Sequence, residues 1–383
     1  MIVIGTRFGV YIMLYVFNEF HLTKNRDIQF IKPCRMPAEG HLVLTKEYAN
    51  RLFSIGKIVQ INLDNCSIQR MEKLSENSTL QDVEGVGLLP LVEILNNCHV
   101  ALTAIGLNEM PDLHVKKARL AYERFCRKFW STHKDDLDAT YRHYNENSES
   151  KRISFEQLSN SKRVTYGASY VAMLHIQNIK LNYSYQAPEE QFKTYIYGIS
   201  NLLGIISSFE VEIAKYAFWE LNQREVNELL DSIRIRRKDI RENFAKRKTS
   251  TLKCKEFSFD AAMDIYWLSG ANMSEDLNGS MIIKSKKYTL DIWVGTNDHK
   301  LYRICRDIHS VYFEGSRMKR LASTREDILK SLPYWKKVDR FAHEFLLQRR
   351  SLENVNMDDF LEKIDNAVSY LSGALDKSFL HNS

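Results

Sequence analysis

The 383-residue chain is predicted to be an α/β protein, on three observations. Two short apolar runs, Ile58 to Leu63 and Leu290 to Val294, read as buried strands, and each ends at a group of small polar side chains. A third apolar run, His99 to Ile105, reads the same way, and the apolar residues that follow these runs recur at helical spacing. Strand-helix units in succession build a mostly parallel sheet with helices on its faces, and ligands bind at the rim where strands end and helices begin.

Composition sets the outer bounds. With 44% apolar residues the chain can fill a core, and its length suits two domains or one domain with a large insertion. The cysteines at positions 34, 66, 98, 126, 254 and 305 form no Cys-x-x-Cys pair, which excludes a zinc knuckle and a disulfide framework and suggests a reduced, cytoplasmic setting. Residues 9–17, GVYIMLYVF, follow Arg7 but are too short to span a bilayer and lack a small-residue cleavage site, so they are expected as a buried strand or helix and no membrane partner is expected.

In chain order, residues 1–56 form an N-terminal extension with a turn near Pro37 to Gly40. From Lys57, the strand residues Ile58, Val59, Ile61 and Leu63 lead to Asp64, Asn65 and Ser67, which are either a turn or cap or the start of a site. A polar loop (Ser75 to Gly87), a helix opened by Pro90 (Leu88 to Leu95) and the second strand come next, and Glu109 falls on a short helix after that strand. Val115 to Trp130 is amphipathic, with Ala118, Ala121, Tyr122, Phe125 and Phe129 on one face, and Asp135 to Ser161 reads as a polar loop or linker.

Helices are expected over Tyr166 to Asn182, Glu189 to Ser208 and Phe209 to Leu230, with Glu210 and Glu212 as solvent charges. Between Arg234 and Lys255 lie ten Lys and Arg against only Asp239 and Glu242, more than the whole chain's net charge of +6. The run is either a solvated helix face or a surface for a phosphate backbone, carried by Arg234, Arg236, Arg237, Lys246, Arg247 and Lys248.

FDAAMDIYWL (259–268) is an apolar helix interrupted only by Asp260 and Asp264, four apart and on one face. Carboxylates there are costly to bury without a cation, a metal or a set of donors; the plain alternative is a cap at Asp260 and a salt bridge at Asp264. The strand Tyr288 to Val294 is interrupted by Gly295, after which Thr296, Asn297 and Asp298 precede a helix from Lys300 to about Asp307, and Thr296 or Asp298 alone would serve as its cap. A last strand, SVYFEG (310–315), precedes a helical tail from Arg317 to Ser383 with Ile328, Leu332, Phe341, Phe345 and Leu346 as core candidates.

Taken together these segments resemble the PIN-domain family of metal-dependent nucleases. NLDNCSI supplies Asp64 at the end of the first strand, with Asn65 directly after it where the family usually has one residue between; LTAIGLNEM supplies Glu109; FDAAMDIYWL supplies Asp260, with Asp264 the fallback; VGTNDHKL supplies Asp298 in a Thr-x-Asp motif. The family's closing helix and strand look like Lys300 to Gly315.

The resemblance implies a PIN-like three-layer α/β/α domain in two parts, residues 57–125 and 255–316, with a helical insertion (126–254) and a helical C-terminal extension (317–383). It implies an Mg²⁺- or Mn²⁺-dependent nuclease, an endoribonuclease first, with Asp64, Glu109, Asp260 and Asp298 (and Asp264) as catalytic metal ligands and Asn65, Thr296 and Asn297 as donors that fix them. RNA ranks ahead of DNA as substrate, and a protein inhibitor or complex partner is a further expectation. A PIN-like module that binds or scaffolds without cleaving is the alternative.

Other doubly wound readings fit less well. A haloacid dehalogenase-type phosphatase needs an aspartate where Asn62 stands, and a receiver's paired acids and later lysine have no counterpart. The Gly-x-Gly-x-x-Gly turn of a Rossmann dehydrogenase is absent.

Overall fold

The strand β2 (Lys57–Leu63) forms where β-branched and apolar residues run together, and Ile58, Val59, Ile61 and Leu63 are wholly buried. It is the central strand of a five-stranded sheet in a computed structural model that describes residues 27–32, 43–110, 112–131, 154–205, 208–276, 279–302, 308–312, 319–323, 327–347 and 356–381.

Before β2 come β1 (Gln29–Ile31) and α1 (Lys46–Ser54), the latter capped by Thr45, whose hydroxyl accepts from the Tyr48 N–H. After it come α2 (Asn65–Met71), α3 (Leu80–Gly85), α4 (Leu89–Asn97), β3 (Val100–Thr103), a 3₁₀ turn (Ile105–Glu109) and α5 (Asp112–Phe129). The helical part comprises a 3₁₀ turn (Phe155–Gln157), α6 (Asn160–Asn182), α7 (Pro188–Leu203), α8 (Ser208–Phe218), α9 (Gln223–Glu228), α10 (Asp231–Phe244) and α11 (Thr251–Asp276). Then follow β4 (Ser280–Ile283), β5 (Lys286–Thr296), β6 (Ile308–Tyr312), β7 (Lys319–Ser323), α12 (Asp327–Ser331), α13 (Pro333–Leu347) and α14 (Met357–His381).

β2 pairs in parallel with β3 on one side and β5 on the other, with Asn62 opposite Thr103 and Leu63 opposite Gly295. That register brings the ends of β2 and β5 level, so the residues after them share one rim. β1 and β4 run antiparallel along the other edge of β5, Gln29 opposite Thr296 and Met281 opposite Tyr288. Asp291 ties this corner together, accepting from Lys32 Nζ and Trp293 Nε1 at 2.7 Å and from Tyr48 Oη at 3.1 Å.

Parallel strands expose both faces to packing, and here each face has its own core. Val59, Ile61, Leu63 and Trp293 pack with Ile68 of α2, Leu91 and Leu95 of α4 and Tyr122 of α5. On the opposite face Val294 joins Phe259, Ala262 and Ile265 of α11 in the large core of the helical part. Each fully buried aliphatic side chain contributes roughly 1.5–3 kcal/mol, so α11 is held on the sheet by packing. The C-terminal helices belong to that same core: Ile364 of α14 fills the space beside Gly167 of α6, and Arg163 pairs with Asp365 at 2.6 Å.

The structure departs from the sequence expectations in several places. The segment Ser75 to Gly87 contains α3, started by a Thr79–Asp82 capping box, and Phe209 to Leu230 is two helices, α8 and α9, with a break at 219–222. The second strand is shorter than expected and gives way to the 3₁₀ turn at Ile105. β5 continues through Gly295 to Thr296.

Glu210 and Glu212 are buried, 3% and 5% exposed, because each has a partner that receives it under the packed helices. Ser169 donates to Glu210, and Lys215 sits between Glu212 at 2.5 Å and Asp339 of α13 at 2.9 Å. The strand β6 pairs antiparallel with β7 in a separate two-stranded sheet. Ile328 is exposed, and its neighbour Leu329 takes the core position. Residues 9–17 and 303–307, the Pro37 to Gly40 turn, most of the Asp135 to Ser161 segment and the Leu346 side chain lie outside the described residues.

Among the described residues no helix is long and apolar enough to cross a membrane. Among the described residues no disulfide joins Cys66, Cys98, Cys126 or Cys254.

Candidate functional site

Asp64 is the residue at which β2 ends, and its extended backbone turns the chain into α2. Its Oδ1 accepts the Ser67 N–H at 3.0 Å, the usual reason for an aspartate at a helix N-cap. Its Oδ2 accepts the Thr296 hydroxyl and, at 3.2 Å, the Cys66 thiol. Burial holds this carboxyl above the ordinary range for aspartate, the Thr296, Ser67 and Cys66 donors oppose that, and the Asp298 charge adds to it.

The end of β5 mirrors this arrangement. Asp298 Oδ1 accepts the Lys300 and Leu301 N–H groups at 2.8 and 3.2 Å, so Asp298 caps the turn of helix that begins there. Its own N–H donates to Thr296 Oγ1 at 2.8 Å. Thr296 is thus a two-way bridge, donating to one strand-end carboxylate and accepting from the backbone of the other. Ser67 links the same two segments, its hydroxyl donating to Gly295 O at 3.1 Å and to Asn297 Oδ1 at 2.9 Å, while Asn297 Nδ2 donates to Gly87 O.

The third segment is α11, whose apolar face lies on β5 and carries Asp264 to the same rim. Burial holds the Asp264 carboxyl well above the ordinary range, and the charges of Asp298, Asp64 and Asp260 add to the effect in that order. Three segments widely separated in the chain therefore bring the charges of Asp298, Asp64 and Asp260 to bear on the Asp264 carboxyl. No hydrogen bond or ion pair to Asp264 is made among the described residues, and Asp298 Oδ2 likewise accepts none.

Asp260 stands nine residues inside α11, which begins at Thr251, so it neither opens nor caps this helix. Asp264, one turn further on, is the residue whose carboxyl feels the charges of Asp298 and Asp64, and the salt bridge expected for it is absent among the described residues. Glu109 ends the 3₁₀ turn after β3, and its side chain lies outside the described residues. That turn is pressed onto the rim: a Cβ at Gly106 would meet Asp64 C and Asn65 N at 2.6 Å, so only glycine allows the approach.

Asn65 lies in the first turn of the helix that Asp64 caps, and its Oδ1 accepts from Gln69 Nε2 one turn along α2. Thr296 touches Asp64 directly, and Asn297 acts one step removed, through Ser67. The roles of Cys66, Ser67 and Gly106 were not assigned from sequence. The polar cluster at the strand end signals Ser67, but nothing local signals Gly106. Deeper on the same face, Asn62 Oδ1 accepts from Gln60 Nε2 and Thr103 Oγ1, both at 2.9 Å, a buried polar ladder that ties β2 to β3 below Asp64.

The basic run divides into two groups. Arg236 is 4% exposed and donates to Tyr216 Oη, and Arg237 and Arg241 both donate to Trp219 O just past the end of α8. Arg236 is therefore removed from any nucleic-acid surface, because α10 buries that face against α8. Arg234 pairs with Asp231 at 2.6 Å, Lys246 and Arg247 are exposed, and Lys248 lies over the Phe257 ring at 4.0 Å.

The donor set of the acid cluster is all carboxylate oxygen, with bare oxygens on Asp264 and Asp298, which is the chemistry of a hard divalent ion such as Mg²⁺ or Mn²⁺. As they stand, no three His, Cys, Asp or Glu side chains among the described residues form a ligating group. Compared with known proteins, the chain matches no family model, no curated protein and no solved structure.

Proposed function

We propose that the chain is a metal-dependent nuclease of PIN-domain type, an endoribonuclease first, that hydrolyses phosphodiester bonds at the rim formed by Asp64, Asp264 and Asp298. The observation that carries this reading is the convergence on Asp264 of charge from Asp298, Asp64 and Asp260, on three separate elements. Like charges that crowd a buried carboxyl cost stability unless a cation compensates them. A protein that keeps them gains something other than stability from them.

The chain's own residues would divide the work. Asp64 and Asp298 are held in fixed orientation by helix-capping N–H groups and by Thr296, so their remaining oxygens are preorganised. Asp264, with no competing partner among the described residues, would complete the donor set ahead of Asp260, and Glu109, at the end of the 3₁₀ turn, is a further candidate ligand. Bound Mg²⁺ or Mn²⁺ would supply an activated water and stabilise the leaving oxygen of an in-line displacement at phosphorus.

A cleavage assay tests the reading. Purified chain is incubated with a labelled single-stranded oligoribonucleotide in Mn²⁺, alongside Asp64→Asn and Asp298→Asn. Cleavage by the parent and its loss in both variants is expected. Equal cleavage by all three proteins sinks the proposal, as does none by the parent in either Mg²⁺ or Mn²⁺.

A further inference from the structure

The helical part gathers cations from α6, α10 and the loop after α10 into one region. Lys180 of α6 donates to Ala245 O at 2.8 Å, and Gln177 donates to Lys246 O at 3.1 Å, so the loop after α10 is pinned by its carbonyls. Arg237 and Arg241 serve Trp219 O, and Arg241 pairs with Glu220 at 2.8 Å. These contacts neutralise the carbonyl ends of α8 and α10, where cations are favourable. They leave Lys246 and Arg247 displayed in front.

The cations crowd one another. Burial, and after it the Arg241 charge, pushes the Lys180 ammonium down to about 8, with Arg237 and Arg247 adding to the effect and Glu220 opposing it. Burial and Arg241 bring Arg237 down to about 10. Four like charges from three segments thus share one region. Of the nearby acids, Glu220 is paired with Arg241, and Glu242 lies between Lys300 at 3.4 Å and Lys238 at 3.9 Å.

The Lys300 contact also places this region beside the acid cluster. Lys300 donates its N–H to Asp298 at 2.8 Å and reaches Glu242 with its ammonium. Glu242 lies in the last turn of α10, and Lys246 follows just after that helix ends at Phe244.

We propose that the pinned loop 245–250, with Lys246 and Arg247 at its front, anchors the phosphodiester backbone of a single-stranded nucleic acid as it runs off the acid cluster. The direction of the strand rests on the nuclease reading; the anchoring itself does not. A polyanion is the occupant that fits, because the surface offers displayed cations backed by buried ones.

The test uses the full chain in EDTA, so that binding is read without cleavage, with a fluorescein-labelled 12-nucleotide oligouridylate followed by anisotropy across a salt series. Lys246→Glu with Arg247→Glu is expected to weaken binding about tenfold or more and to reduce the salt slope by about 1.4, two phosphates at roughly 0.7 each. Lys287→Glu, at the far end of β5, leaves both unchanged. Should the double glutamate variant fail to fold, Lys246→Gln with Arg247→Gln reads the same slope.

Wild-type affinity and slope in the loop variants overturn the proposal. So does loop-dependent binding to vesicles of anionic lipid without binding to the oligonucleotide. Loop-dependent binding with no cleavage in Mn²⁺ leaves the anchor standing and removes the nuclease. Cleavage with an unchanged KM in the loop variants does the reverse.

Discussion

Thr296 and Asp64 share a hydrogen bond across 232 residues of chain, the hydroxyl of one strand end donating to the carboxylate of the next, while the same hydroxyl accepts the Asp298 N–H. Thr296→Val keeps the shape and removes both bonds. It leaves a buried carboxylate oxygen and an N–H short of a partner, which costs about 1–3 kcal/mol. Urea unfolding is expected to show that loss in Thr296→Val and its recovery in Thr296→Ser. An unchanged midpoint in Thr296→Val would show that the bridge does not hold the rim together.

Gly106 supports the same rim from below. In Gly106→Ala the new methyl group meets backbone atoms at 2.6 Å, and backbone cannot swing aside as a side chain does. Overpacking of this kind costs about 1–3 kcal/mol. Thermal unfolding is expected to fall accordingly, whereas Gly85→Ala, with open space around it, serves as the unaffected control. Equal melting of the two variants would contradict the close approach.

Much of this architecture is legible in the sequence, and the limits have physical causes. β2 and β5 announce themselves because strands buried on both faces need continuous apolar runs, and Asp64 and Asp298 are marked by standing where those runs stop. Both acids cap helices, so the plain reading of each is met, and capping leaves the second oxygen available to the proposed one. β1 and β4 are short edge strands with no run to read.

Asp260 reads as a helix start because polar Lys253, Lys255 and Glu256 hide the first turns of α11, and the proposed reading therefore takes Asp264 ahead of it. Glu210 and Arg236 look like solvent charges because their partners, Ser169 and Tyr216, are brought to them only by helix packing, while Glu212 pairs with Lys215 on its own helix and packing adds Asp339 and buries the pair.

His175 makes stability depend on pH. The imidazole is 5% exposed, packed where a Cβ on Gly198 would collide with it, and burial pushes it down to about 4 from an ordinary 6.5. Between those values the unfolded chain binds a proton that the folded chain refuses. The contribution is therefore intact above about 6.5 and is lost as pH falls toward 4, in total roughly 3 kcal/mol. Comparing urea midpoints at pH 7.5 and 4.5, the loss on acidification is expected to be smaller in His175→Leu than in the parent. The same loss in both would assign the acid sensitivity to other groups.

On the proposed reading Asp64, Asp264 and Asp298 repel one another until a divalent ion joins them, and Mn²⁺ titration by calorimetry addresses this directly. The parent is expected to give a saturable heat that is lost in Asp64→Asn, Asp264→Asn and Asp298→Asn, with Asp264→Asn melting no lower than the parent in EDTA. Identical heats in the parent and all three variants would contradict the account.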